Sequence, residues 1–128
     1  MPRVLVIDDQ SYVRHTISLM LKTKGFEVDE ADRAAAGLKK LEESEFDLVM
    51  VDIYMPGMDG VKFIKLMRDR APDLPVIAMS GVMLNSSERT ALDYFSMVPE
   101  LSNVLCLKKP FRPNQLTEAI HKVMGVAA

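Results

Sequence analysis

The chain has 128 residues, the length of one ordinary domain, which is enough to bury a sizeable hydrophobic core. Hydrophobic residues make up 48% and charged residues 27%, a globular composition that excludes a disordered or low-complexity chain. The net charge of −2 argues against binding to nucleic acid or anionic lipid, and the single cysteine excludes an internal disulfide and a multi-cysteine zinc site.

No targeting or membrane segment is evident in the sequence. The N-terminus runs directly into an apolar strand followed by two acids, which is not the layout of a signal peptide. No apolar run approaches the roughly 20 residues that cross a bilayer. We therefore expect a cytoplasmic protein without a membrane partner, made of one domain over residues 1–128.

Short apolar strands alternate with amphipathic helices along the chain. Four strands are apolar on successive residues, which is typical of strands buried on both faces, whereas the strand at 26–30 alternates with acids and indicates a half-exposed edge. Gly25 is placed to end the first helix. In chain order we predict strand 4–7, helix 13–21, strand 26–30, helix 34–41, strand 48–51, helix 61–67, strand 75–79, helix 84–97, strand 104–107 and helix 116–123.

This alternation predicts an α/β fold of five β-α units. Strands separated by helices pair in parallel through right-handed crossovers, with helices on both faces of the sheet. If the strand at 26–30 is the edge, the strand order is 2-1-3-4-5. The expected architecture is a flavodoxin-like three-layer sandwich.

Three carboxylates follow two of the buried strands. Asp8 and Asp9 close the first strand and Asp52 closes the third. In the order 2-1-3-4-5 the winding reverses between these strands, which forms a crevice where ligands bind. Such close carboxylates repel one another, and oxygen ligands favour Mg²⁺, with Mn²⁺ as a further possibility. The alternative is that these acids are helix caps or turn residues, which is plausible for Asp8 alone.

Two further strand ends add polar groups to the same crevice. Ser80 follows the fourth strand, and Lys109 with Pro110 follows the fifth. A carboxylate nucleophile, a metal, a hydroxyl donor and an ammonium are the parts that phosphoryl transfer requires.

These motifs resemble the receiver domain of a two-component response regulator, of the single-domain kind found in chemotaxis regulators. The matching segments are VLVIDD at 4–9, VMVDIYMPGMDG at 49–60, AMSG at 78–81 and KKPF at 108–111. The resemblance covers essentially the whole chain, and the third-strand motif is highly specific.

The resemblance implies a role for each matching residue. Asp52 would be the phosphoacceptor, and Mg²⁺ would be held by Asp9, with Asp8 beside it, by Asp52 and by the backbone carbonyl of Tyr54. Ser80 and Lys109 would stabilise the phosphoryl group, Ser80 through its hydroxyl and Lys109 by bridging to the acid cluster or to the phosphate. The residues expected to shape the backbone near the site are Pro56, Gly57, Gly60 and Pro110, the last after a cis peptide bond.

Two departures from the family fall on the expected signalling face, formed by the fourth and fifth predicted helices and the fifth strand. Cys106 stands where receivers usually carry Tyr or Phe, and we expect it to be a small buried strand residue and not a redox thiol. The stretch from Ser80 to Lys109 is longer than is usual in the family. The excess lies around 96–103, where a tight turn is missing.

The resemblance implies a signalling switch that a sensor histidine kinase or a histidine phosphotransfer protein phosphorylates, and that then binds a downstream protein, which the sequence does not name. It would not be an enzyme beyond self-catalysed phosphoryl transfer and slow autodephosphorylation. A phosphoryl carrier without conformational output stays open. A Mg²⁺-dependent phosphohydrolase is less favoured, because those enzymes place two acids two residues apart after the first strand, and here Asp8 and Asp9 are adjacent.

Overall fold

A computed structural model describes residues 2–53, 60–80 and 104–125 of the chain. Its strands are β1 (Arg3–Ile7), β2 (Glu27–Ala31), β3 (Leu48–Asp52), β4 (Val76–Ser80) and β5 (Val104–Lys108). Its helices are α1 (Ser11–Thr23), α2 (Ala34–Glu43), α3 (Gly60–Arg70) and α4 (Pro113–Met124). The predicted helix at 84–97 lies outside the described residues.

The five strands form one parallel sheet in the order β2-β1-β3-β4-β5, which confirms the predicted fold. The winding reverses between β1 and β3, where Ile7 pairs with Val51. Asp8 and Asp52 come next along each strand. The register therefore brings them side by side at the carboxyl end of the sheet.

Two apolar layers cover the sheet, because alternate strand residues point to opposite faces. Leu5 and Ile7 of β1 lie in the layer that contains Phe63 and Ile64 of α3. The other layer contains residues of β1, β3 and β4 together with residues of α1 and α4, namely Val4, Val6, Ile17, Leu21, Leu48, Met50, Ile77, Met79, Leu116, Ala119 and Ile120. The result is the predicted sandwich of helices, sheet and helices.

The two edge strands are less buried than the central three. β2 is half-exposed, as its alternating sequence predicts, although its ladder with β1 begins at Glu27, one residue later than predicted. β5 was predicted to be buried on both faces, and this is wrong: Val104 to Leu107 are half-buried. The reason is topological, since β5 pairs with β4 on one side and forms the other edge of the sheet.

Glycines end α1 and α4. Gly25 follows α1 with φ +92° and Gly125 follows α4 with φ +66°, a left-handed conformation that glycine adopts without steric cost. α4 begins with Pro113, and the Gln115 side chain accepts a hydrogen bond from the backbone N–H of Arg112 at 2.7 Å. No helix in the described ranges is long and apolar enough to cross a membrane.

Candidate functional site

The three predicted acids meet at the carboxyl end of β1 and β3. Carboxylate oxygens of Asp8, Asp9 and Asp52 all lie within 4.8 Å of one another. Asp8 is 0% exposed and Asp52 4%, whereas Asp9 is exposed to solvent. The cluster thus has a buried floor of two carboxylates and one carboxylate at its open side.

Lys109 bridges the two buried acids. Its ammonium Nζ donates to Asp8 Oδ2 at 3.0 Å and to Asp52 Oδ2 at 3.2 Å. Burial alone would lower the pKa of Lys109, but the hydrogen bond to Asp8 and the charges of Asp52 and Asp8 outweigh it, so the pKa lies above its usual value. Lys109 is therefore a cation at neutral pH.

Every polar part of Asp8 has a partner. Its carboxylate Oδ1 accepts from the backbone N–H of Gln10 at 2.9 Å, and its own N–H donates to the Ala31 carbonyl at 3.1 Å. Its backbone carbonyl accepts from the Arg14 guanidinium at 2.7 Å. One carboxylate oxygen of Asp8 thus contacts the turn before α1 and the other faces Lys109, but the side chain is buried and is neither a solvated turn residue nor a cap of α1.

The donor set fits a divalent cation that prefers oxygen. Three carboxylates converge against one ammonium, so negative charge remains in excess within the cluster. Hard oxygen ligands on a partly open site match Mg²⁺, which keeps several of its own waters. Asp8, Asp9 and Asp52 are the described residues that could hold it.

The structure describes the remaining predicted residues only in part. Ser80 ends β4 opposite Lys108, and its side chain lies outside the described atoms. Gly60 begins α3, and the peptide bond between Lys109 and Pro110 is cis, as the resemblance implies. The predicted residues Tyr54, Pro56 and Gly57 and the segment 96–103 lie outside the described residues.

Cys106 lies on β5 opposite Ala78, and it packs against the same apolar layer as α2 and α3. Burial raises the pKa of its thiol to about 12. The thiol is therefore neutral at physiological pH. A neutral thiol is a poor nucleophile, which agrees with the expectation that Cys106 is not a redox thiol, although the residue is half-buried and not fully buried as expected.

Arg14 and Glu30 also belong to the surroundings of the acid cluster, although no sequence motif indicated this. Arg14 lies on α1 and contacts the Asp8 carbonyl, and its Nε donates to Glu30 Oε1 at 2.9 Å. The available signal was weak: a basic residue one turn into the helix after β1, and an acid near the end of the edge strand. Such a pattern does not show how close the side chains of Arg14 and Glu30 lie or how deeply they are buried.

Comparisons with known proteins agree with this geometry. The model of the response regulator receiver domain matches residues 4–121. The chain is 30% identical to the response regulator receiver protein CpdR of Brucella abortus, over 99% of this chain and 100% of that protein. It is also 30% identical to the chemotaxis protein CheY of Bacillus subtilis, over 96% of this chain and 98% of that protein.

Other relatives are longer than this chain. It spans 57% of the transcriptional regulatory protein FixJ of Bradyrhizobium diazoefficiens, at 29% identity. Among solved structures, the response regulator TrrA of Thermotoga maritima in complex with Mg²⁺-BeF aligns with a TM-score of 0.80 at 28% identity, covering 96% of this chain and 99% of that one. The chain belongs to the receiver domains of two-component response regulators.

Proposed function

We propose that this protein is a phosphorylatable signalling switch that accepts one phosphoryl group on Asp52. The single observation that supports this most strongly is the contact of Lys109 with both buried acids, Asp8 and Asp52, at the reversal point of the sheet. A carboxylate held beside an ammonium can attack a phosphoryl group while the ammonium offsets charge, and a divalent cation bound at the open acidic side would offset the remaining negative charge that otherwise repels an anionic phosphodonor.

In the proposed reaction a carboxylate oxygen of Asp52 forms a bond to phosphorus. The bond from phosphorus to the donor's leaving group breaks, and the electron pair leaves with that group. Lys109 neutralises negative charge on the phosphoryl oxygens, and the hydroxyl of Ser80 donates a hydrogen bond to one of them. Mg²⁺, held by Asp8, Asp9, Asp52 and the Tyr54 carbonyl, would supply further charge neutralisation.

The phosphodonor in the cell is proposed to be a sensor histidine kinase or a histidine phosphotransfer protein. Family membership supports this, because histidine kinases phosphorylate receiver domains. Mg²⁺ as the cofactor is supported by the cluster of three carboxylates and by the similarity to TrrA, whose structure holds Mg²⁺-BeF. The phosphorylated protein would then bind a downstream protein.

The test is the mass of the intact protein after incubation with acetyl phosphate and Mg²⁺. We expect one added phosphoryl group, which disappears with EDTA and in the Asp52→Asn variant. The matched control is Asp69→Asn, which makes the same change at an exposed position on α3 and should leave the adduct intact. A full adduct on Asp52→Asn would refute the assignment.

Phosphate release in the same incubation distinguishes a switch from a phosphohydrolase. A switch releases phosphate slowly, in step with decay of the adduct. Continuous release of many equivalents at a constant rate, without an accumulating adduct, would favour the hydrolase.

A further inference from the structure

Arg14 connects the acid cluster to the edge strand of the sheet. From α1, its guanidinium donates to the Asp8 carbonyl at 2.7 Å and to Glu30 Oε1 at 2.9 Å. Its side chain is 13% exposed. A planar guanidinium with a fixed fork of donors holds two acceptors in a defined relative position, which a flexible ammonium does less well.

Glu30 is well placed to anchor this arginine. It lies on β2 with its side chain 25% exposed, and its Oε1 also lies 3.0 Å from His15 Nδ1. Burial raises its pKa, but hydrogen bonds from Ser18, Arg14 and His15 outweigh the effect, so the pKa lies below its usual value. Glu30 is thus ionised at neutral pH and can pair with Arg14.

The contact with the Asp8 carbonyl bears directly on Asp9. The Asp8 carbonyl and the Asp9 N–H belong to one planar peptide unit, so fixing the carbonyl fixes the direction in which the chain enters Asp9. Within the described part of the chain, no hydrogen bond holds the Asp9 carboxylate itself. Its direction therefore depends on the backbone that carries it.

We propose that Arg14, anchored by Glu30, is a positioning residue that orients the Asp8–Asp9 peptide so that the Asp9 carboxylate points into the metal site. The inference rests on the proposed function, since it assigns Asp9 to the metal. Arg14 itself touches neither the metal nor the phosphoryl group in this account. It acts through the backbone of its neighbour in the cluster.

A positioning role and a purely electrostatic role predict opposite effects on metal binding. If Arg14 mattered only as a nearby positive charge, its removal would strengthen the binding of a cation to the carboxylates. If Arg14 orients Asp9, its removal weakens metal binding, because the Asp9 carboxylate must then be ordered when the metal binds. The direction of the change therefore decides between the two.

The experiment is a titration with Mn²⁺ alone, followed by electron paramagnetic resonance of the free ion, on the full chain without a phosphodonor. For Arg14→Ala we expect about 10-fold weaker binding, the lower end of what loss of an outer contact costs a metal site. Unchanged or tighter binding would overturn the proposal. Far-UV circular dichroism shows that each variant is folded before titration.

Three further variants sharpen the test. Arg14→Lys keeps the charge without the fork and should recover only part of the affinity, whereas full recovery would overturn the two-point contact. Glu30→Ala should weaken binding in the same direction and add little to Arg14→Ala, because the two side chains act as one unit. The matched control is Arg3→Ala, which removes an arginine that pairs with Asp29 on β2, the strand that also carries Glu30. This variant should bind Mn²⁺ like the wild type.

The two proposals can fail separately. If the wild type takes up a phosphoryl group on Asp52 while Arg14→Ala binds Mn²⁺ normally, only the role of Arg14 is refuted. If no variant and no wild type takes up a phosphoryl group, the proposed function fails, and the Mn²⁺ titration still decides whether Arg14 orients Asp9.

Discussion

Replacing Lys109 by methionine should leave two buried carboxylates without their shared cation. Methionine keeps the length and apolar stem of lysine but removes the ammonium that donates to Asp8 at 3.0 Å and to Asp52 at 3.2 Å. Asp8 is 0% exposed and Asp52 4%, so water replaces the lost partner poorly. The two negative charges then repel each other across the crevice.

The expected cost is about 3 kcal/mol of unfolding free energy in the absence of metal. Removing one partner of a buried ion pair costs roughly 3–5 kcal/mol, and the lower end applies because Asp9 leaves one side of the cluster open to solvent. This is a large share of the roughly 5–15 kcal/mol that stabilises a typical domain.

The pH dependence provides a second readout of the same interaction. The pKa of Lys109 is raised in the folded protein, so its contribution is complete below its unfolded pKa and is lost as the pH rises through the folded value, above about pH 10. Wild type and variant should therefore converge at strongly alkaline pH.

The assay is urea denaturation in EDTA at pH 7.5, with Lys39→Met as the matched control. Lys39 is an exposed lysine on α2, and its replacement should change stability by less than about 0.5 kcal/mol. A loss of less than about 1 kcal/mol of unfolding free energy in Lys109→Met, or an equal loss in both variants, would show that the ammonium does not stabilise the buried acids.

Three more predictions follow from other contacts. Gly37→Ala should destabilise the protein by about 1 kcal/mol in urea melts, because the new Cβ would lie 2.5 Å from Ile7 Cδ1 in the core. Overpacking of this kind costs roughly 1–3 kcal/mol, which exceeds the gain in helix propensity from replacing glycine by alanine. A more stable variant would contradict this prediction. Glu30→Gln should cost about 1 kcal/mol at pH 7. That difference should shrink as the pH falls below the ordinary pKa of glutamate, because the pKa of Glu30 is lowered in the folded state, and it should disappear once the pH lies below the lowered value. A difference that persists in strong acid would count against the ion pair with Arg14. Asp9→Ala should raise the stability of the metal-free protein by about 1 kcal/mol, because it relieves the repulsion between the three carboxylates of the cluster. The variant should also gain less stability from Mg²⁺ in thermal melts. If Mg²⁺ stabilises the variant as much as the wild type, Asp9 is not a ligand.

Strand order and edge position followed from local patterns in the sequence. The second strand carries the acids Glu27, Asp29 and Glu30, and such a strand cannot lie in the middle of a sheet covered on both faces. Once β2 is at an edge, the reversal between β1 and β3 brings Asp8 and Asp52 together. The acid cluster was therefore predictable without coordinates.

Burial at the other edge was not predictable in the same way. Val104 to Leu107 are as apolar as the central strands, yet they are half-buried. The apolar residues of a strand show that it can be buried, whereas its actual burial depends on which elements pack beside it. That is a property of the assembled sheet.

The element order, the parallel sheet and the family could be predicted from the amino-acid sequence, because periodicity and strand-end motifs are local. The individual hydrogen bonds between the polar groups, however, depend on the tertiary structure. Lys109 is 101 residues from Asp8 and donates to both buried acids, and Arg14 reaches across from α1 to Glu30 on β2. Hydrogen bonds act over about 3 Å between atoms, so they depend on helix rotation and side-chain direction, which no residue pattern along the chain records.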